Sequence, residues 1–155
     1  MSRHKLSALV VVVVGVVSVA QLVSIFKSTE SGWILQLAHE QVVAHEVDAT
    51  AQRIERFEDI DARLRGLDFK PQWPRRLSQQ HYPLVSARKV VVLEQRMLQL
   101  RCLDLRGGNA SLFISPVSDA LLALHNKQQV RGEWLVSYWR EGELFYSLVT
   151  GERGP

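Results

Sequence analysis

The fold is indicated most clearly by residues 97–105, which read Met97-Leu98-Gln99-Leu100-Arg101-Cys102-Leu103-Asp104-Leu105. Apolar side chains at 98, 100 and 102 alternate with polar side chains at 99 and 101. Successive side chains of a strand point to opposite faces of its sheet, so this stretch predicts a strand with one face on a core. Gly107 and Gly108 follow it and predict a turn.

Strand-like runs continue on both sides of this stretch. They are residues 88–93, 110–115, 134–139 and 144–149, with turn-forming residues at 94–96 and 140–143. Residues 118–125 predict a short helix between two of them. We therefore predict an α+β fold in which residues 67–151 form a small antiparallel sheet of about five strands.

The residues before the predicted sheet have a helical rather than a strand-like apolar period. Val43, Val47, Ala51, Ile54 and Phe57 recur at three- and four-residue steps, which is typical of one face of a helix. We expect residues 27–66 to form an amphipathic, membrane-proximal helix packed on the sheet and ending near Gly66. An alternative is that the apolar stripe joins a partner helix instead.

Residues 6–26 form a 21-residue stretch without a charged side chain. As a helix it would be about 31 Å long, which matches the hydrocarbon core of a bilayer. Arg3 and Lys5 in residues 1–5 predict a cytoplasmic tip and an exported body. The alternative is a cleaved signal peptide, with Ser18-Val19-Ala20 as its cleavage site. Residues 152–155 are expected to be a frayed tail.

Charge and composition exclude several classes of protein. Without Arg3 and Lys5, 17 of the 19 basic residues remain against 16 acidic ones, so the exported part is nearly neutral. Its densest basic cluster, Lys70, Arg75 and Arg76, is interrupted by prolines and a tryptophan, which favours a solvated loop over nucleic-acid binding.

Chemistry-bearing residues are sparse. His39 and His45 are six residues apart, which places them on different faces of a helix and argues against a metal pair. Cys102, the single cysteine, is expected to be a small buried apolar residue. We predict no catalytic, metal or cofactor residues, no small-molecule substrate, and therefore no enzyme.

Aromatic residues concentrate in the last predicted hairpin. They are Trp134, Tyr138, Trp139, Phe145 and Tyr146. Core packing and cross-strand pairing account for aromatics in such a hairpin. The functional alternative is an interaction surface, because aromatic side chains are enriched in binding hot spots.

Four segments in order carry a family resemblance. They are residues 67–71, 82–88, 111–116 and 136–149. In sequence and spacing they resemble the periplasmic part of transmembrane anti-sigma factors of proteobacteria. That family holds its sigma factor with a cytoplasmic zinc-associated His-x-x-x-Cys-x-x-Cys domain, for which residues 1–5 contain no counterpart. No zinc or sigma-binding residue is therefore transferred to this chain.

The resemblance implies a bacterial inner-membrane protein with one span, a cytoplasmic N-terminus and a periplasmic sheet domain. We expect this domain to act as an interaction or sensor module through contact with a protein partner. The alternatives are an accessory subunit of an inner-membrane complex, or an exported small-ligand carrier or enzyme. His81 or His125 beside a carboxylate in a deep cavity would favour the carrier or enzyme.

Overall fold

The computed structural model describes residues 32–33, 36–37, 40, 51–122, 127–131 and 134–151. The predicted span at 6–26, the terminal segments 1–5 and 152–155, and the predicted stripe residues Val43 and Val47 lie outside this set. Within the set, no helix is both long and apolar enough to span a bilayer.

One antiparallel sheet contains all described strands. They are β1 (Gln52–Arg53), β2 (Leu84–Val92), β3 (Gln95–Leu103), β4 (Asn109–Pro116), β5 (Lys127–Arg131), β6 (Trp134–Glu141) and β7 (Leu144–Gly151). Their spatial order is β1-β2-β3-β4-β7-β6-β5. The predicted antiparallel sheet of an α+β protein is confirmed, with six strands of five residues or more and the two-residue β1 at one edge.

The strand count was underestimated because β5 lacks the apolar alternation that predicts a strand. Its sequence is Lys127-Gln128-Gln129-Val130-Arg131, and it is defined by pairing with β6 rather than by a hydrophobic face of its own. The β2–β3 turn is also tighter than predicted. Leu93 and Glu94 form a two-residue loop with φ values of 46° and 69°. This left-handed pair matches the twist of the flanking strands and starts β3 at Gln95.

Both faces of the sheet are buried. We call residues 54–82 the linker, and the face of the sheet that they cover the linker face. This face carries Leu98, Leu100, Leu112, Ile114, Trp139 and Tyr146. It is covered by Ile54, Ile60, Leu64, Phe69, Trp73 and Leu77 from residues 54–82. The opposite, helix face carries Val90, Met97, Phe113, Val136, Tyr138 and Phe145, and is covered by Trp33, Leu37 and Leu121. The sheet is therefore the middle layer of the domain.

The predicted continuous helix over 27–66 is wrong in its second half. Gly32, Trp33, Gln36, Leu37 and Glu40 are helical, but the chain is a strand at Gln52–Arg53 and a 3₁₀ turn at Phe57–Asp59. Only Ile60–Arg63 is α-helical again before the turn at Gly66, whose φ is +80°.

The reason lies in pairing with β2. Gln52 and Arg53 lie opposite Ala87 and Ser86, and the backbone N–H of Ile54 donates to the carbonyl of Val85 at 3.3 Å. An edge strand offers unpaired backbone groups that a neighbouring segment can satisfy, and here they outweigh the helical periodicity of the sequence. Ile54 is still buried, at 1% exposure, but it packs from an extended segment.

A polar network fixes the helical residues to the sheet. Glu40 accepts from the Arg88 guanidinium at 3.1 Å, and both groups are largely shielded from solvent. The Gln99 amide oxygen accepts from Arg88 Nε at 2.6 Å, and its Nε2 donates to Ser111 Oγ at 3.1 Å and to the Glu40 carbonyl at 3.3 Å. Because buried polar groups require partners, this network holds Glu40 against β2, β3 and β4.

Candidate functional site

The five aromatic residues of the last hairpin do not form one exposed surface. Tyr138 and Phe145 are 2% exposed on the helix face, and Trp139 and Tyr146 are 3% and 2% exposed on the linker face. Trp134 is half-buried. The pleat causes this separation, since neighbouring residues of a strand point to opposite sides. Four of the five therefore belong to the core, which agrees with core packing as the explanation for these aromatic residues.

Trp139 and Tyr146 nonetheless form an aromatic stack on the linker face, and Tyr146 also lines a cleft. They lie directly opposite each other on β6 and β7, with ring centroids 5.7 Å apart and planes 14° from parallel. The Arg76 guanidinium lies 5.0 Å from the centroid of the Trp139 ring. A cation in this position is attracted by the ring quadrupole. Arg76 of the basic cluster therefore contacts an aromatic ring, whereas the sequence predicted only a solvated loop.

Glu141 joins the hairpin to the proline-containing linker. Its Oε2 accepts from the backbone N–H of Arg75 at 2.8 Å, and its Oε1 accepts from the indole of Trp139 at 3.0 Å. Arg76 Nε lies 3.8 Å from the same Oε1. Hydrogen bonds to an ionised acceptor are stronger than neutral ones, so one carboxylate holds together two segments distant in sequence.

Further contacts hold the linker in an extended form. The Tyr146 hydroxyl donates to the Gln72 carbonyl at 3.1 Å, and the Trp73 indole donates to the Leu77 carbonyl at 2.7 Å. Phe57 packs edge-on against Trp73 at 5.6 Å. Pro71 and Pro74 are buried and exclude a helix here. The linker is consequently one wall of a defined site.

Between this wall and the tip of the β6–β7 hairpin lies a cleft of about 760 Å³. It is lined by Phe69, Lys70, Gln72, Trp73, Arg75, Pro116, Glu141, Gly142, Glu143, Leu144 and Tyr146. Lys70, Arg75 and Glu143 are exposed, and their side chains form no ion pair with any described residue. The cleft thus combines aromatic walls with unneutralised charges at its edges.

The electrostatics of the cleft act on Tyr146. Burial, followed by the negative charge of Glu141, raises the pKa of the Tyr146 hydroxyl to about 12, while Arg75 opposes this. The hydroxyl therefore stays protonated and remains a donor to Gln72 throughout the physiological range.

Other reactive groups lie away from the cleft. Cys102 is fully buried in the linker-face core, and burial raises the pKa of its thiol to about 12. A thiol with that pKa is a poor nucleophile. His81 is exposed on a 3₁₀ turn, whereas His39, His45 and His125 lie outside the described residues. In the part of the chain that is described, no three His, Cys, Asp or Glu side chains are arranged to hold a metal ion.

No protein-family model, curated protein or solved structure matches this chain.

Proposed function

We propose that this chain is a single-pass protein of the bacterial inner membrane. In this proposal its N-terminus is cytoplasmic, and its periplasmic α+β domain acts by protein contact in envelope signalling, as its resemblance to the exported part of anti-sigma factors implies. Residues 6–26 are the membrane span, and the helical residues that follow are the membrane-proximal part of the exported domain. The cleft beside Glu141 is its contact site.

The observation that carries this proposal is the uncharged stretch at 6–26, followed by a nearly neutral body. A segment of this length and polarity favours the bilayer over water. The basic side chains before it favour a cytoplasmic N-terminus.

The contacts of Trp33 and Leu37 support a mechanical link between membrane and sheet. Both are almost fully buried in the helix-face core, at 2% and 1% exposure, only a few residues after the proposed span. Burial of two such side chains is worth about 4 kcal/mol. In this proposal Trp33 and Leu37 couple the segment that follows the span to the sheet through packed side chains.

The composition of the cleft supports protein contact. Protein interfaces are enriched in aromatic and arginine side chains around an apolar centre. The cleft brings Trp73, Tyr146 and Arg75 together in this way.

Membrane fractionation tests the anchor. We expect the full chain to remain in the membrane pellet after alkaline carbonate washing and to retain residues 1–20 on N-terminal sequencing. In spheroplasts, added protease should degrade the sheet domain. Val13→Arg should reduce membrane retention, whereas the matched control Val13→Leu should not. A soluble product that begins at Gln21 would disprove the anchor.

A small-ligand carrier is the second candidate, and the size of the cleft favours it. Its volume of about 760 Å³ lies within the range of small-molecule sites. Native mass spectrometry of the chain purified from its host would show a bound small molecule if this candidate is correct.

A further inference from the structure

We infer that the cleft beside Glu141 binds an extended segment of a partner protein that presents acidic side chains to Lys70 and Arg75. This inference rests on the proposed function, because it names the kind of partner segment that the contact site accepts. It is carried by three features of the described residues: the distribution of charge, the free backbone of the linker and the alternation of its side chains.

Charge is the first feature. Four charged residues line the cleft, but Glu141 is already engaged by Arg75 N–H, Trp139 and Arg76, and its side chain is only 22% exposed. Lys70 and Arg75 on the linker wall are exposed and form no side-chain ion pair with a described residue. Glu143, on the opposite wall, is the single remaining acid of the lining. The linker wall therefore presents two available cations to an incoming chain.

The backbone of the linker is the second feature. Over residues 69–73, the only hydrogen bond to a described residue through the main chain is the one that the Gln72 carbonyl accepts from Tyr146. The backbone groups of an extended segment are readily satisfied by a second extended segment laid beside it. A helix would leave these groups unpaired, so an extended partner fits better.

Side-chain alternation is the third feature. Lys70 and Gln72 are exposed, whereas Phe69, Pro71 and Trp73 are buried or half-buried. A partner strand with the same period of two would place an acidic side chain near Lys70, and an acidic side chain at its end would meet Arg75, which lies in the turn after Pro74. Its intervening apolar side chains would then reach the rings of Trp73 and Tyr146.

Binding of two matched peptides to the full chain in uncharged lipid nanodiscs tests this inference. The probes are peptides of about eight residues that alternate leucine with glutamate or leucine with lysine, each carrying a neutral fluorophore. Fluorescence anisotropy should show saturable binding of the glutamate peptide and at least about tenfold weaker binding of the lysine peptide. Raising NaCl to about 0.5 M should weaken the glutamate complex, because exposed ion pairs are screened.

Charge reversal locates the site. Lys70→Glu with Arg75→Glu should weaken binding of the glutamate peptide by about tenfold or more. The control, Arg63→Glu with Arg106→Glu, makes the same change in net charge at exposed positions outside the cleft and should leave binding unchanged. Lys70→Gln with Arg75→Gln, a milder pair, serves if the reversed pair unfolds, and a thermal melt of each variant shows whether it is folded.

The inference is overturned if the glutamate peptide does not bind, if both peptides bind equally, or if the cleft variants and the control pair bind alike. Carbonate washing of membranes that contain the same chains separates failure of this inference from failure of the proposed function. Retention without peptide binding overturns only the acidic, extended partner. Peptide binding by a chain that is washed off the membrane overturns the anchor instead.

Discussion

The indole Nε1 of Trp139 donates a hydrogen bond to Oε1 of Glu141, 3.0 Å away on the same strand. The two residues are two positions apart, so the pleat places them on the same face of the sheet. This contact leaves the second carboxylate oxygen of Glu141 for the linker, where it accepts from Arg75 N–H at 2.8 Å. One pair of side chains on β6 thereby links the aromatic stack of the linker face to the linker wall of the cleft.

Replacing Glu141 should destabilise the domain. Glu141→Ala leaves the Trp139 indole and the Arg75 N–H without their acceptor, so we expect the free energy of unfolding to fall by about 2 kcal/mol. Urea denaturation measures this. Glu143→Ala is the control, because its side chain is exposed and unpaired with described residues, and it should cost less than about 0.5 kcal/mol. Equal effects of the two substitutions would show that Glu141 does not hold the linker.

The pKa of Tyr146 predicts a dependence of stability on alkaline pH. Its folded-state pKa of about 12 exceeds the ordinary value of 10.0. The unfolded chain therefore loses this proton first, and the contribution of Tyr146 to stability is present below about pH 10 and lost as pH rises toward 12. Ultraviolet titration should show a late-ionising tyrosine that is missing in Tyr146→Phe. Glu141→Gln should lower that pKa, because it removes the nearby negative charge.

Gln99 should be essential to the docking of the helical residues. It is 2% exposed and bonded to Arg88, Ser111 and the Glu40 carbonyl. Gln99→Ala breaks all three hydrogen bonds in a buried site, and we expect a loss of about 2–3 kcal/mol in the free energy of unfolding. The same substitution at exposed Gln80 is the control and should change stability by less than about 0.5 kcal/mol. A neutral result at Gln99 would mean that the network contributes nothing to docking.

Ile54 tests whether this part of the apolar stripe packs within the domain. Because it is 1% exposed in the linker-face core, Ile54→Asp should cost more than about 4 kcal/mol by burying an unpaired charge. Gln52→Ala, on exposed β1, should cost less than about 0.5 kcal/mol. Thermal melts of both variants decide the matter. An unchanged melting temperature for Ile54→Asp would contradict the burial of Ile54 in the linker-face core.

Cys102 should be unreactive in the folded chain. Its thiol is buried, and burial raises its pKa to about 12. A disulfide reagent at about pH 8 should therefore label it only as fast as the domain opens. Leu105→Cys combined with Cys102→Ala moves the thiol to a position that is 71% exposed, and this variant should react at once. Equally fast labelling of the wild-type thiol would contradict its burial.

Most of the sheet was predictable because its strands carry their own signal. The alternation over 97–105 appears directly as β3, with Leu98, Leu100 and Cys102 buried on one face. Gln99 on the other face was expected to be polar and outward. It is instead buried under Glu40, because the helical residues cover that face as well.

The cleft itself had only a weak signal in the sequence. Arginines and a tryptophan interleaved with prolines at 70–76 indicate a non-helical loop, but not that Arg76 contacts an aromatic ring. Glu141 is 66 positions from Arg75 along the chain. No periodic pattern connects residues so far apart, so their hydrogen bond could not be anticipated.

The sequence by itself determined the five strands that carry their own apolar pattern, where Gly66 and Gly142 turn the chain, and that residues 6–26 are apolar, because these properties depend on neighbouring residues alone. Tertiary structure decided what depends on distant partners. Ile54 follows a strand rather than continuing a helix because β2 offers a free edge. The Trp139 ring is covered by Arg76, which the fold brings to 5.0 Å from the ring centroid. Pairing energies between segments far apart in the chain exceed local preferences of a few tenths of a kcal/mol per residue, and only the fold brings those segments together.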